Sequence, residues 1–461
     1  MSQATATTPA ASSASKRLPP GPKGHWFWGM LLERRKDPLG VFTRGMLEHG
    51  NVVHFRMWIR NVFLVTEPEG VKHVLVDQAS RYSKGSGVRK LSSLLLGEGL
   101  LTSEGDHWRR QRRLAQPAFH KERLAKLASV MTTTTSEMLD RWEDRRKRGE
   151  AFDAAADFMA LTLSIVSRAL FSMDVGAGDA AAVGKAMVVA LEETNRRILS
   201  FALLPLWVPT AHNREYLEAV RVLDDVVFKI IDARRKGQSH GEDLLAMLMS
   251  ARDEETGATM DDRQLRDEVM TLFLAGHETT ANALAWSIWL VARHPEVEAR
   301  IRAELEQALG GRAPEMQDVP KLRYLSQVLD ESMRLYPPAW IVARQAAEPD
   351  EILGFHVPKG TIVATSPYVV HRNPRYWPDP EKFDPERFAP ERVQQRPRHA
   401  YFPFGAGQRM CIGNSFAMME GVLILAMLYQ RFTVKPVEGH PVVPHPRVTL
   451  RPLHGVQVRL S

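Results

Sequence analysis

Cys411 is the only cysteine in this chain of 461 residues, so an intrachain disulfide is excluded. It lies in a glycine-rich stretch, with glycines at 405, 407 and 413, and an apolar segment at 416–432 follows it. That segment is apolar on nearly all sides, which predicts a helix buried in a large core. A thiol just before a helix lies at the positive end of the helix dipole, so a stabilised thiolate is predicted.

A single thiolate can form only a few kinds of site. Tetrahedral zinc sites and iron–sulfur clusters need several ligands, whereas one thiolate is enough for the axial position of a haem iron. The glycines around Cys411 leave room for a flat group against the backbone. Residue types alone leave two other roles open, a small buried hydrophobe and a nucleophile paired with a histidine.

A second stretch with chemical potential lies inside the longest predicted helix. This helix is predicted to begin at Thr259, where Asp262 completes a capping-box pattern, and to end at His294 before a proline. It contains Ala-Gly-His-Glu-Thr-Thr at 275–280. Mid-helix glycine costs about 1 kcal/mol relative to alanine, and threonines compete for backbone carbonyls, so a kink is predicted. A zinc-protease motif is excluded because position 281 is alanine.

Charged and aromatic residues elsewhere supply further candidates. Trp108 and Arg112 are four residues apart and share one face of a predicted helix. The planar guanidinium of arginine suits a carboxylate, and the indole N–H is a single donor. Glu331 and Arg334 are neighbours on another predicted helix, and a strand is predicted over 340–344.

The pattern Phe404-x-x-Gly407-x-Arg409-x-Cys411-x-Gly413 resembles the haem-binding loop of the cytochrome P450 family, the haem-thiolate monooxygenases, at every fixed position. Further motifs resemble those of the family and occur in its order. They are Trp108/Arg112, Ala275–Thr280, Glu331/Arg334 and Phe383–Phe388. The resemblance covers most of the chain and implies a mainly α fold with small β-sheets (α+β), in a single large triangular domain.

The resemblance also implies a role for each motif. Cys411 would be the metal ligand of haem b, and Glu278 and Thr279 would manage the protons for dioxygen. The other residues implied to contact the cofactor, several through its propionates, are Trp108, Arg112, Ala275, Gly276, Arg344, Phe404, Gly405, Arg409 and Gly413. Glu331, Arg334 and Arg387 would form a buried network that supports the haem loop.

The implied reaction is hydroxylation or epoxidation of a lipophilic small molecule, such as a fatty acid, a terpenoid or a steroid. The apolar residues implied to contact it are Leu95, Leu96, Phe201, Leu204, Ala275, Trp340, Ile341 and Val342. The stretch 198–207 resembles the family's mobile lid, with the end of a core helix as the alternative. Candidates to meet a substrate carboxylate, with solvated surface as the alternative role, are Arg81, Lys84, Arg89 and Lys90.

No Gly-x-Gly-x-x-Gly motif of a flavin or nicotinamide domain occurs in the chain. Electrons from NAD(P)H are therefore expected to arrive through a separate acidic ferredoxin or flavodoxin. The basic neighbours of Trp108 are expected to point outward and to form the basic proximal face on which that donor docks: Arg109, Arg110 and Arg113.

Two alternative functions remain beside the monooxygenase. A peroxygenase or decarboxylase that uses hydrogen peroxide needs no proton relay, so the presence of both Glu278 and Thr279 argues against it. A non-catalytic haem sensor or carrier belongs to a different class, and turnover with a surrogate reductase distinguishes it.

Composition and charge limit the remaining possibilities. The 61 basic and 54 acidic residues give a net charge of +7, and no basic tract is interleaved with aromatic residues, so nucleic-acid binding is not expected.

Residues 1–17 are predicted to be a disordered leader before one domain at 18–461. No signal peptide or membrane span is expected, and a single cysteine suits the cytoplasm, so a cytoplasmic monomer is predicted. β-rich parts are predicted near 51–66, 340–366 and 440–461.

Overall fold

The computed structural model describes residues 17–85, 94–171, 177–199, 204–237, 243–253 and 255–461. Helices make up most of the described chain. In chain order the α-helices are α1 (Leu31–Lys36), α2 (Pro38–His49), α3 (Pro68–Lys72), α4 (Gly105–Ala115), α5 (Lys121–Lys147), α6 (Ala154–Phe171), α7 (Ala177–Leu199), α8 (Ala211–Arg235), α9 (Leu244–Ser250), α10 (Asp262–Val291), α11 (Pro295–Leu309), α12 (Arg323–Leu335), α13 (Pro367–Val370), α14 (Pro390–Gln394) and α15 (Asn414–Arg431). Short 3-10 helices include Gln116–Phe119, Pro385–Phe388 and Gly407–Arg409.

The strands form small sheets. They are β1 (Val52–Met57), β2 (Arg60–Val65), β3 (Tyr82–Ser83), β4 (Phe152–Asp153), β5 (Val342–Ala346), β6 (Asp350–Ile352), β7 (Phe355–Val357), β8 (Ile362–Thr365), β9 (Val434–Pro436), β10 (Pro444–Pro446), β11 (Leu450–Pro452) and β12 (Gln457–Leu460). The largest sheet has the order β1-β2-β8-β5-β3, in which β2 and β8 are parallel and the other pairs antiparallel. Smaller sheets join β4-β12-β9, β6-β7 and β10-β11.

α10 is the central element of the core. Its 30 residues span roughly 45 Å at 1.5 Å per residue. It packs most extensively against α6, and also against α12 and α15. Gly276 permits the close approach of α6, because a Cβ there would lie 3.1 Å from Val166 Cγ2. The helix remains continuous through 275–280. α15 is buried along most of its length, as its all-round apolar sequence predicts.

Several predicted boundaries differ from the structure. α10 begins at Asp262 rather than Thr259, because the Asp261 side chain caps it by accepting a 2.8 Å hydrogen bond from the N–H of Gln264. The helix ends at Val291, and His294 is instead the N-cap residue of α11. β5 begins at Val342 rather than at residue 340.

Some predictions concern residues outside the described chain. These residues are 1–16 of the predicted leader, Phe201, Arg89 and Lys90. Among the helices that the structure describes, none combines the length and the apolar character needed to cross a lipid bilayer.

Candidate active site

The turn that carries Cys411 is held by main-chain hydrogen bonds. The Cys411 N–H donates to the Phe404 carbonyl at 2.9 Å, and α15 begins three residues after the cysteine. Gly407 has φ +68°, and a Cβ at this position would lie 2.1 Å from the Leu75 carbonyl oxygen. Only glycine fits this approach, which presses the turn against the segment before β3. Gly405 also has a positive φ, +73°.

The Cys411 side chain lies in a crevice, which we infer from its exposure to solvent together with the dense protein around it. It is exposed, yet the surrounding protein is dense enough that burial raises the pKa of its thiol. The Gly413 N–H and the Arg112 charge act in the opposite direction. In the protein alone, burial therefore affects the pKa of the Cys411 thiol more than the helix terminus does. The thiolate predicted from the helix terminus is not favoured in the protein alone. Metal coordination removes the proton of a thiol outright, so a raised pKa is compatible with a metal ligand.

A second exposed surface lies in the middle of α10. Ala275 is exposed although residues 271–274 before it are buried, and Thr279 one turn later is partly exposed. The Thr279 hydroxyl donates to the Ala275 carbonyl at 2.6 Å. Because α10 packs against α15, this surface and Cys411 belong to adjoining segments. Both are exposed to solvent.

Glu278 is buried, and its carboxylate contacts the C-terminal part of the chain. Thr449, in the loop between β10 and β11, donates its hydroxyl to Glu278 Oε1 at 2.6 Å. The neighbouring His277 carbonyl accepts the Thr162 hydroxyl of α6 at 2.9 Å. No sequence motif marks Thr449 as the partner of Glu278.

Three cations gather beside the crevice: Lys84, Arg344 and Arg409. Burial, with the charges of Arg409 and Arg344, lowers the pKa of Lys84 to about 7. Burial and the charge of Arg409 lower the pKa of Arg344 to about 10, and Glu104 opposes both shifts. Such mutual repulsion among partly buried cations is compatible with a site for an anion. Lys84 was predicted only as a possible contact of a substrate carboxylate; the sequence does not connect it with Arg344 and Arg409.

Trp108 and Arg112 lie on one face of α4, as their spacing predicts, and both contact the Cys411 turn. The Arg409 guanidinium stacks over the Trp108 ring at 4.2 Å from its centroid. Arg112 Nη1 donates to the Met410 carbonyl at 2.9 Å. Arg409 Nη2 donates to the Ser103 carbonyl, while its buried Nη1 has no hydrogen-bond partner among the described residues.

These features fit a haem. Cys411 offers one sulfur to a metal, Ala275 is exposed in the middle of α10, and the three cations with the unsatisfied Arg409 Nη1 suit two propionates. In the part of the chain that the structure describes, no three His, Cys, Asp or Glu residues gather as an alternative metal site.

Glu331, Arg334 and Arg387 are brought together as predicted for the supporting network. Arg334 donates to both Glu331 oxygens, at 2.6 and 2.9 Å, and both side chains are fully buried. Arg387 Nε lies 3.5 Å from Glu331 Oε1. Arg334 also donates to three main-chain carbonyls between residues 371 and 382. The network thus joins α12 to the long irregular segment before the Cys411 turn.

The candidate substrate residues differ in how far they are exposed. Ile341 and Val342 are partly exposed at the start of β5. Leu95 and Leu96 are buried in the main core, and Trp340 in a second cluster, where its indole N–H donates to the Arg447 carbonyl. Leu204, in the loop before α8, is 58% exposed.

The basic residues beside Trp108 differ in orientation. Arg109 and Arg113 are exposed, and Arg113 pairs with Asp253 and Glu255 at 3.0 and 2.9 Å. Arg110, expected to point outward, is half-buried and donates to Gln264 of α10, because α4 packs close to that helix. Beside α4 runs a groove that the sequence did not predict; its basic lining residues are Arg113, His120, Arg123 and Arg252.

Comparison with known proteins adds independent findings. The model of the family described as Cytochrome P450 matches residues 19–457. The chain is 39% identical to cyclooctatin synthase of Streptomyces melanosporofaciens, over 97% of the chain and 96% of that protein. It is 37% identical to cyclooctat-9-en-7-ol 5-monooxygenase of the same organism, over 94% of each.

The fold also matches a solved structure. The crystal structure of the cytochrome P450DA heme domain superposes with a TM-score of 0.87 at 27% identity, over 96% of this chain and 97% of the other. The predicted fold, mainly α with small β-sheets, is thereby confirmed.

Proposed function

The chain belongs to the cytochrome P450 family, monooxygenases that use haem and oxygen, and from this premise we propose how its own residues serve that reaction. Haem b, when bound, supplies reductive activation of dioxygen. Cys411 would hold its iron through the sulfur, and the thiolate would increase the electron density at the metal. Gly405, Gly413 and Phe404 shape the turn around the sulfur.

We propose that the cationic cluster binds the two propionates. Lys84, Arg344 and Arg409 face the same anion site, and ion pairing there would relieve their mutual repulsion. Trp108 and Arg112 complete the site from α4. Propionate binding raises the pKa of Lys84 above its value of about 7 in the protein alone, because a negative charge favours the ammonium.

Proton transfer is assigned to two adjacent residues of α10. The Thr279 hydroxyl, now donating to the Ala275 carbonyl, lies on the partly exposed face and can turn its proton toward the crevice. The Glu278 carboxylate passes protons from water to that hydroxyl. Gly276 permits the tight contact with α6 that keeps this part of the helix in place.

The proposed substrate is a lipophilic terpenoid, one of the three classes expected from the sequence. One relative is named as a 5-monooxygenase of cyclooctat-9-en-7-ol, and the present chain is 37% identical to it. Ala275, Ile341 and Val342 offer exposed apolar surface for such a guest. Leu95, Leu96, Phe201, Leu204 and Trp340 remain proposed contacts. A library of terpenoids, fatty acids and steroids, screened by the spectral shift on displacement of water from the haem, tests this assignment.

Electrons are proposed to come from NAD(P)H through a reductase and an acidic ferredoxin or flavodoxin. The basic groove beside α4 adjoins the cysteine turn. Phe119 follows the lining residue Ala118 in the chain, and its ring lies 3.9 Å from where a Cβ of Gly413 would be. Opposite charge would steer the donor to this proximal face. We further propose a monomer that works in the cytoplasm.

The observation that carries the proposal is a lone cysteine that lines a crevice at the start of a buried helix. We predict that Cys411→Ser abolishes the thiolate-type spectrum of the reduced, CO-treated protein and removes turnover. Ala406→Ser, which adds a hydroxyl to the same turn without removing the sulfur, should leave the spectrum unchanged. An unaltered spectrum in Cys411→Ser would refute the ligand assignment. Turnover with NAD(P)H and surrogate redox partners, compared with hydrogen peroxide alone, excludes the peroxygenase and the non-catalytic carrier.

A further inference from the structure

A row of polar residues on α10 is joined to the C-terminal loop between β10 and β11. Glu278, Asn282 and Trp286 recur every four residues and so share one helix face. Glu278 accepts from Thr449, Asn282 Nδ2 donates to Thr449 Oγ1 at 3.1 Å, and Trp286 Nε1 donates to the Leu450 carbonyl at 3.1 Å. The loop is therefore attached to α10 at three successive turns, beginning at the proposed proton-relay residue.

The hydrogen bonds of Thr449 have a fixed direction. The amide nitrogen of Asn282 can only donate, so it occupies an acceptor site of the Thr449 hydroxyl. The single hydrogen of that hydroxyl is then directed to Glu278 Oε1, 2.6 Å away. The side chains of Glu278, Asn282 and Thr449 are 4%, 2% and 6% exposed, so bulk water does not compete for these bonds. One Glu278 oxygen is thus held in place.

The other side of the same loop contacts the segment before β5. The Leu450 N–H donates to the Pro338 carbonyl at 2.9 Å, and the Trp340 indole donates to the Arg447 carbonyl at 2.8 Å. This segment leads directly into Ile341 and Val342, the partly exposed candidate substrate contacts. Thr449 therefore lies between the proposed substrate wall and the proposed proton relay.

We infer that Thr449 is a positioning residue for proton delivery, which holds the Glu278 carboxylate through its hydroxyl and is itself oriented by Asn282. The inference rests on the proposed function, because Glu278 has a relay to perform only if Cys411 holds a haem that activates oxygen. The contact also connects the β10–β11 loop, and through it the substrate wall, to the orientation of Glu278. Neither Thr449 nor Asn282 carries a sequence motif that marks this role.

The test compares Thr449→Val, which removes the hydroxyl at nearly constant volume, with Thr449→Ser, which keeps it. Thr135→Val is the matched control, since Thr135 is equally buried but donates only within α5, to the Met131 carbonyl. We expect Thr449→Val to lower the rate of product formation about ten- to 100-fold, since misplaced catalytic groups cost this much. Its solvent isotope effect should rise, and less product should form per NAD(P)H. Thr449→Ser and Thr135→Val should stay near wild type.

A second readout does not depend on turnover. The C–O stretching band of the reduced, CO-treated protein senses polar groups beside the ligand, and it should shift in Thr449→Val but not in Thr135→Val. If Thr449→Val unfolds, Asn282→Leu, which removes the group that orients the hydroxyl, provides the same comparison.

A double mutant decides whether Thr449 acts through Glu278. In the Glu278→Gln background, Thr449→Val should cause no further loss of rate, because the relay is already disabled. Fully additive losses, or a Thr449→Val protein identical to the Thr135→Val control, overturn the inference. A wild-type protein without the thiolate-type spectrum instead contradicts the proposed function, so the two failures are distinguishable.

Discussion

Glu420 of α15 is a carboxylic acid in a fully buried position. Both of its oxygens are buried, and the Thr280 side chain of α10 beside it favours the ionised form. Burial raises the pKa of Glu420 to about 8. The side chain is therefore largely neutral at pH 7, which avoids the cost of an unpaired buried charge.

This carboxyl makes stability dependent on pH. The folded protein keeps the proton on Glu420 up to pH about 8, whereas an unfolded glutamate releases it near pH 4.3. Its contribution to stability is complete below the unfolded pKa and is lost as pH rises through the folded pKa. We predict that Glu420→Gln reduces the fall in unfolding free energy between pH 6 and pH 8 by about 2 kcal/mol, measured by denaturant unfolding at both pH values.

A substitution at an exposed position is the control, because it shows whether removal of any carboxyl group changes the pH dependence of stability. Glu306→Gln, on the surface of α11, should show the wild-type pH dependence. Part of that dependence should persist in Glu420→Gln, since burial also raises the pKa values of Asp330 and Glu268 to about 7. Equal pH dependence in all three proteins would show that Glu420 is ionised throughout this range.

At the scale of elements, the Cys411 turn is positioned by contacts from outside itself. Gly407 lies against the main chain of the segment before β3, and Arg334 fixes the irregular segment that precedes the turn. Neither contact touches the sulfur. Both determine where the sulfur lies.

Gly407→Ala tests the first contact. The new Cβ would lie 2.1 Å from the Leu75 carbonyl oxygen, so the turn must move and haem binding should weaken. Gly310→Ala is the control, because Gly310 also has a positive φ, +56°, but open space around it. Both variants carry the backbone strain of roughly 1–2 kcal/mol, so only Gly407→Ala should lower the haem content of the purified protein. Equal haem content would contradict the steric argument.

Arg334→Met tests the second contact. It leaves the buried Glu331 carboxylate without its bidentate partner, which should cost roughly 3–5 kcal/mol of unfolding free energy. Arg323→Met, at the exposed start of the same helix α12, should cost little. Denaturant unfolding measures both, and a small effect for Arg334→Met would show that the network is not needed for the fold.

For the whole molecule, we propose that charge governs the encounter with an electron donor. The net charge of +7 is modest, so the local arrangement of cations matters more than their total. The basic groove beside α4 and the cysteine turn share one side of the fold. An acidic donor docked there would approach Cys411 closely.

Reduction by an acidic ferredoxin should therefore slow as ionic strength rises, because salt screens electrostatic steering. Arg252→Glu, in the groove, should lower the association rate several-fold. Arg60→Glu changes the net charge equally at the exposed β1–β2 hairpin and should have little effect. Equal slowing by both, measured by stopped-flow reduction, would place the docking site elsewhere.

Features that depend on residues close together in the chain could be predicted from the sequence. Cys411 with its flanking glycines, the Ala275–Thr280 stretch and the spacing of Glu331 and Arg334 were recognisable because their neighbours lie within one or two turns. The family and its fold followed from the order of these motifs. The predicted limits of α10 were less accurate, because nearby polar side chains compete to cap the first turn of the helix.

Contacts between residues far apart in the chain could not be predicted and are seen only in the folded structure. Thr449 reaches Glu278 across 171 positions, and Arg409 reaches Ser103 across 306. Lys84 joins the cations of the candidate anion site although nothing in its surrounding sequence distinguishes it. Such contacts arise from the packing of separate elements. A local sequence pattern does not predict them, because the burial, charge environment and hydrogen-bond partners of a residue depend on chain segments far away in sequence.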